Sequence, residues 1–174
     1  MPDRNYMDAI ADHIVVFDGG MGATLEMVDL TEADYGGLKG KCHEALILHR
    51  PDVIEGVHAS MLQAGAEVVE TDTFQASRIK LEEWGLDEHT MEINVKAAEI
   101  ARKAASLNGG LVAGSMGPIG ALVKPYGPVD ADDVKATFAE QAKALADGGV
   151  DLLLIETMFA FEETNAAFEG ARSA

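Results

Sequence analysis

The sequence predicts an α/β fold built on a parallel sheet. Two observations carry that expectation: four short aliphatic runs recur along the chain, and helical patterns separate them. A third concerns where the polar residues gather. Each run closes on its C-terminal side in a polar or glycine cluster: DGGMG, ETDTF, GSMGP and ETM. Groups collected at the C-terminal ends of several strands favour a (β/α)8 TIM-barrel type over an open doubly wound sheet, whose site sits at one switch point.

The runs are IVVF (14–17), EVVE (67–70), LVAG (111–114) and DLLLIE (151–156). All are short, and nearly continuous in apolar character or bounded by carboxylates, as buried parallel strands are. In PDVIEGVHASMLQAG, Pro51 suits a first helical turn, Ile54, Val57, Met61 and Ala64 share a face, and Gly65 ends the helix. DEHTMEINVKAAEIARKAAS puts Met91, Val95, Ala98 and Ala105 on one stripe. DADDVKATFAEQAKALADGG opens at Asp130 as an N-cap and carries Val134, Phe138, Ala142 and Leu145 along one side. It closes at Gly148 and Gly149. FEETNAAFEGARSA is the last helical pattern.

A full barrel takes roughly 250 residues. The 174 residues are therefore expected to hold only the first four βα units, a half-barrel forming one domain over 1–174. Such a chain is either one part of a longer polypeptide or a half that pairs.

Thirteen Lys and Arg against thirty Asp and Glu give a formal net charge of −17, a poor match to nucleic acid or anionic membranes. Cys42 is the only cysteine, so no intrachain disulfide framework exists. With neither a secretory signal pattern nor an apolar run of membrane-spanning length, a cytoplasmic setting is expected.

The strand-end clusters are the candidate chemistry. DGGMGATLE lacks dinucleotide spacing and a following Lys-Ser/Thr, and Asp18 would repel phosphate. Asp18 suits a substrate ammonium, with the glycines opening backbone N–H groups to a carboxylate; a capping aspartate in a tight turn is the competing reading. In ETDTF, alternation sends Glu70 and Asp72 to one face and Thr71 and Thr73 to the other, and Asp72 reads best as a solvated strand end. Glu156 follows four consecutive aliphatic residues, so it should be partly desolvated and in need of a cation. GSMGP is by itself only a turn signal. The histidines His13, His43, His49, His58 and His89 show no metal-binding spacing and read as surface or boundary residues.

Taken in order, FDGGMGATLE, RPDVIEGVHASMLQAGAEVVETDTFQAS, VAGSMGPIG and GGVDLLLIETM resemble the N-terminal half of the homocysteine S-methyltransferase barrel. That family includes cobalamin-dependent methionine synthase and betaine–homocysteine methyltransferase. The resemblance implies a (β/α)8 barrel and methyl transfer to the homocysteine thiol, giving methionine. It implies that Asp18 and Glu156 hold the homocysteine amine, and that Gly19, Gly20 and Thr71 hold its carboxylate. Zinc, bound in the family by three cysteines of later strands, finds no ligands here, so no metal-binding or catalytic residue is assigned and the chain alone is expected to be inactive. The methyl donor stays open among methylcobalamin, methylfolate, betaine and S-methylmethionine. Ala160 stands where the family often has an aspartate, and Asp72 where it usually has asparagine, adding a negative charge. Two alternatives remain: a corrinoid-dependent methyltransferase acting on another methyl donor, and a non-catalytic half-barrel. Partners would be homocysteine, and either a second copy as a homodimer or the missing C-terminal half-barrel.

Overall fold

The computed structural model describes residues 5–174. Helix α1 (Tyr6–Asp12) starts at Asn5, whose side chain accepts from the Met7 amide at 2.9 Å. Next come α2 (Met21–Leu25), α3 (Ala45–His49), α4 (Pro51–Gln63) and β1 (Val68–Glu70). Then follow α5 (Arg78–Glu82), α6 (Thr90–Asn108), β2 (Leu111–Met116), α7 (Ala131–Asp147), β3 (Leu152–Ile155) and α8 (Phe161–Ser173).

The three strands are parallel and neighbour one another in chain order, β1-β2-β3. Of the four strands expected, the first does not form as one. The segment 14–17 keeps a single bridge, Phe17 to Val68, beside β1. Its hydrogen bonds run from Glu67 N to Val16 O at 2.8 Å and from Asp18 N to Val68 O at 3.0 Å, enough to hold Asp18 at the sheet.

Period-two alternation divides the sheet. One face gives Val69 and Val112 to a core with Leu62, Ala101, Ala104 and Ala105, and Met116, Leu153 and Ile155 to a second core under α7 and α8. The helices there pack in succession, α4 on α6, α6 on α7 and α7 on α8. The opposite face gathers Val68, Leu111 and Ala113 with Phe17, Leu152 and Leu154, and Tyr6 of α1 meets Phe17 edge-on at 6.1 Å.

Most helix boundaries follow the sequence. Pro51 takes the first position of α4 and Gly65, at φ 113°, follows its end. The α6 stripe is only partly the expected one: Ala98 and Ala105 are buried but Met91 is exposed, and Thr90, Ile93, Asn94, Ala97, Ala101 and Ala104 are buried with them. Alanines carry little directional information, and α6 is contacted by α4, α7 and the sheet at once. Asp130 sits at the N-cap of α7 but makes no capping bond; its carboxylate is held by Lys124 Nζ at 2.7 and 2.8 Å. His58, expected at a surface or boundary, is fully buried in α4, and burial lowers its pKa to about 4.

Gly117 fixes the loop that follows β1 against the end of β2. Its amide donates to Phe74 O at 3.1 Å, and a Cβ there would fall 2.5 Å from the same oxygen. Gly117→Ala is expected to destabilise the protein by about 2 kcal/mol. Gly56, inside α4 with open space around it, should behave oppositely, Gly56→Ala adding about 0.5–1 kcal/mol. Urea unfolding of the two variants measures both signs.

Candidate functional site

The inner rows of the sheet rise from aliphatic to polar side chains at their C-terminal ends: Val68 to Glu70, Ala113 to Ser115, Leu154 to Glu156. Asp18 joins them from the segment beside β1. These four residues line a cavity of about 410 Å³ together with Gly19, Gly20, Met21 and Gly22, and with His43, Glu44, Thr71, Asp72, Phe74 and Gln75. Among the described residues, five carboxylates face this space and neither lysine nor arginine does.

Asp18 is not a helix cap. The N-cap of α2 is Gly20, and both Asp18 carboxylate oxygens accept from the Glu70 amide at 3.2 Å. Burial raises its pKa to about 6, the Glu70 N–H opposing the shift and the Glu156 charge adding to it. Glu70, to which the sequence pattern assigns no role, reaches about 7. Burial is again the main cause, followed by repulsion from Glu156 and Asp18 and a hydrogen bond with Glu156. Glu156 Oε1 accepts from Ser115 Oγ at 2.6 Å, giving Ser115 a direct part in the site that a turn signal could not announce. Immediately after it, Thr157 holds φ 58°, an unusual backbone for a β-branched residue and one that turns the chain away at the cavity rim.

Thr71 lines the cavity, but its hydroxyl is engaged within the protein. It accepts from the Ser115 amide at 3.0 Å and lies 2.6 Å from Thr73 Oγ1, which itself donates to Ser115 O at 2.7 Å. Thr71 Oγ1 therefore donates to Thr73 Oγ1. Asp72 is not a solvated strand end. Strand pairing stops at Glu70, the Thr73 amide folds back to Thr71 O at 2.8 Å, and Asp72 is left only 6 % exposed with Oδ2 lacking a hydrogen-bond partner. Gly19 and Gly20 line the cavity, and a Cβ at either would meet only ordinary contacts at 3.8 Å.

The described residues do not fit a thiolate-bound metal. Cys42 is fully buried and donates to Glu44 Oε2 at 3.3 Å, and burial with the Glu44 charge pushes its thiol pKa upward. Among the described residues, no group of three or more His, Cys, Asp or Glu could hold a metal ion. Ala160 occupies the N-cap of α8 without a side-chain bond, the place where an aspartate would cap. No described helix is long and apolar enough to cross a membrane.

The profile of the family described as homocysteine S-methyltransferase matches residues 15–174. The chain belongs to the homocysteine S-methyltransferase family. Methionine synthase of Mycobacterium tuberculosis is 34 % identical over 177 residues, covering 99 % of this chain and 15 % of that protein. The Mycobacterium leprae methionine synthase is 33 % identical and is covered to 14 %. Among solved structures, the oxidized form of the homocysteine methyltransferase MmuM from Escherichia coli superimposes with a TM-score of 0.79 at 30 % identity. The match covers 98 % of this chain and 62 % of that one. The metallated form of the same enzyme gives a TM-score of 0.78 at 29 % identity, with 63 % of its chain covered. This family member thus spans about one-seventh of its curated relatives and under two-thirds of MmuM.

Raised carboxylate pKa values make the site pH-dependent. The stability these acids contribute is present below their unfolded values, near 4, and is lost as pH rises through about 6 for Asp18 and about 7 for Glu70. Asp18→Asn should therefore match the parent at pH 4 and exceed it at pH 8 by about 1 kcal/mol, a figure reduced because both side chains keep solvent contact. Paired thermal melts across that range measure the difference, and a variant less stable than the parent at pH 8 contradicts it.

Proposed function

We propose that the cavity at the strand ends binds the amino-acid portion of homocysteine, and that the chain supplies this part of a site where a methyl group passes to the homocysteine thiol to give methionine. The observation that carries the reading is the convergence of Asp18, Glu70 and Glu156 on one cavity with neither lysine nor arginine among its described lining residues. The three carboxylates repel one another, Asp18 and Glu70 resist ionisation, and a ligand ammonium relieves both burdens. An α-ammonium against Asp18 and Glu156 directs the ligand carboxylate toward the Gly19–Gly22 turn. Family membership selects homocysteine from the α-amino acids that such a cavity could hold.

The sheet is read as an arc of a (β/α)8 barrel, with the segment 14–18 in the place of its first strand. Support comes from strands adjacent in chain order, from helices packed in succession along the sheet, and from the superposition on MmuM. Zinc chemistry, if it belongs to the whole enzyme, takes its ligands from elsewhere than the described residues.

Titration calorimetry with L-homocysteine tests the reading. The full chain should bind it, and Asp18→Asn and Glu156→Gln should each weaken binding roughly tenfold or more, as expected for loss of a charge-assisted contact. Unchanged affinity in the double variant would exclude these carboxylates as the amine site.

A further inference from the structure

Glu156 stands just beyond the end of β3, and its side chain is long and flexible. Directly after it the backbone turns away, with Thr157 at φ 58°. A carboxylate left free in such a place must be brought to order by the ligand, at a cost in affinity. Three neighbouring side chains can hold it. The Thr157 hydroxyl lies 3.4 Å from Oε2, beyond the range of a good O–H···O bond. Glu70 shares a hydrogen bond with Glu156, and a carboxyl donates only while it keeps its proton. The Ser115 hydroxyl donates to Oε1 at 2.6 Å and carries its proton at any pH of interest.

Ser115 is itself held still. It is buried, its amide donates to Thr71 Oγ1 at 3.0 Å, and its carbonyl accepts from Thr73 Oγ1 at 2.7 Å. The parallel register pairs Ser115 with Leu154, so Glu156 follows two positions further along the same face. The Glu156 amide also donates to Met116 O at 3.2 Å, tying the backbone of the acid to the end of β2. Asp18 is arranged in the same manner, by the Glu70 amide of β1. Each acid is thus oriented by a neutral donor from the neighbouring strand.

We propose that Ser115 is a positioning residue of the amine site, its hydroxyl holding Glu156 by one oxygen so that the carboxylate meets the ligand ammonium already oriented. The inference rests on the amino-acid reading of the cavity. It adds to that reading a residue that acts through Glu156 rather than on the ligand. The effect of removing the hydroxyl must therefore depend on the Glu156 carboxylate being present.

Titration calorimetry with L-homocysteine on four full chains separates these roles: the parent, Ser115→Ala, Glu156→Gln and the double variant. Ser115→Ala should weaken binding roughly fivefold or more, part of what a hydrogen bond to a charged group contributes. In the Glu156→Gln background the same substitution should change affinity by less than about twofold. Ser115→Thr keeps the hydroxyl and should stay within roughly threefold of the parent. Three results overturn the inference while leaving the amine site intact. One is parent-like affinity in Ser115→Ala. Another is an equal loss in both backgrounds, the mark of a serine that only supports the wall. The third is a Ser115→Thr affinity as low as that of Ser115→Ala. Failure of the parent to bind homocysteine, or unchanged affinity in Glu156→Gln alone, overturns the amine reading itself and this inference with it.

Discussion

Everything at the strand ends depends on the partial burial of Asp18, Glu70 and Glu156 beside one another, desolvation being the larger burden and repulsion the smaller. Three carboxylates from three chain segments share a cavity with no lysine or arginine among its described lining residues. In isolation that arrangement costs stability, because each group must be desolvated beside like charges. The protein tempers the cost with neutral donors. The Glu70 amide donates to Asp18 and Ser115 Oγ donates to Glu156, and part of the charge is removed by protonation near neutral pH. A bound cation of the right size would relieve that repulsion, which is the basis of the proposed function.

The sheet makes the repulsion possible. Parallel strands adjacent in sequence order place equivalent inner positions side by side, so Glu70, Ser115 and Glu156 meet although dozens of residues separate them. The Thr71–Thr73–Ser115 hydrogen bonds lock the end of β1 to the end of β2, removing hydroxyls from ligand contact and giving the wall rigidity. Behind the wall, Gly117 lets the Phe74 loop approach β2 at a distance no side chain would permit. Sequence thus reaches the site by way of register: aliphatic residues set the strands, and the first polar residue beyond each aliphatic row becomes part of the cavity lining.

Much of the site is legible in the sequence alone. Asp18 and Glu156 stand out because each interrupts an aliphatic run, and a polar residue there has few other destinations. Glu70 and Ser115 are harder to see: the glutamate sits among other polar residues, and the serine between glycine and methionine resembles an ordinary turn. Strand alternation misplaces Asp72, because pairing stops at Glu70 and a turn buries what a continuing strand would expose. The α6 stripe escapes the helical pattern since five buried alanines on three sides of a helix define no direction. The segment 14–17 has strand composition, yet only its last residue forms a bridge, with β1.

Under the proposed function, Asp18 and Glu70 stand in part protonated before an ammonium ion binds. Proton linkage measures this directly: homocysteine binding followed by calorimetry at pH 6.5 in buffers of different ionisation enthalpy. Because the bound ammonium lowers carboxylate pKa values that stand at about 6 and about 7, net release of roughly one proton per ligand is predicted. Binding with no change in protonation, or with net proton uptake, would contradict it.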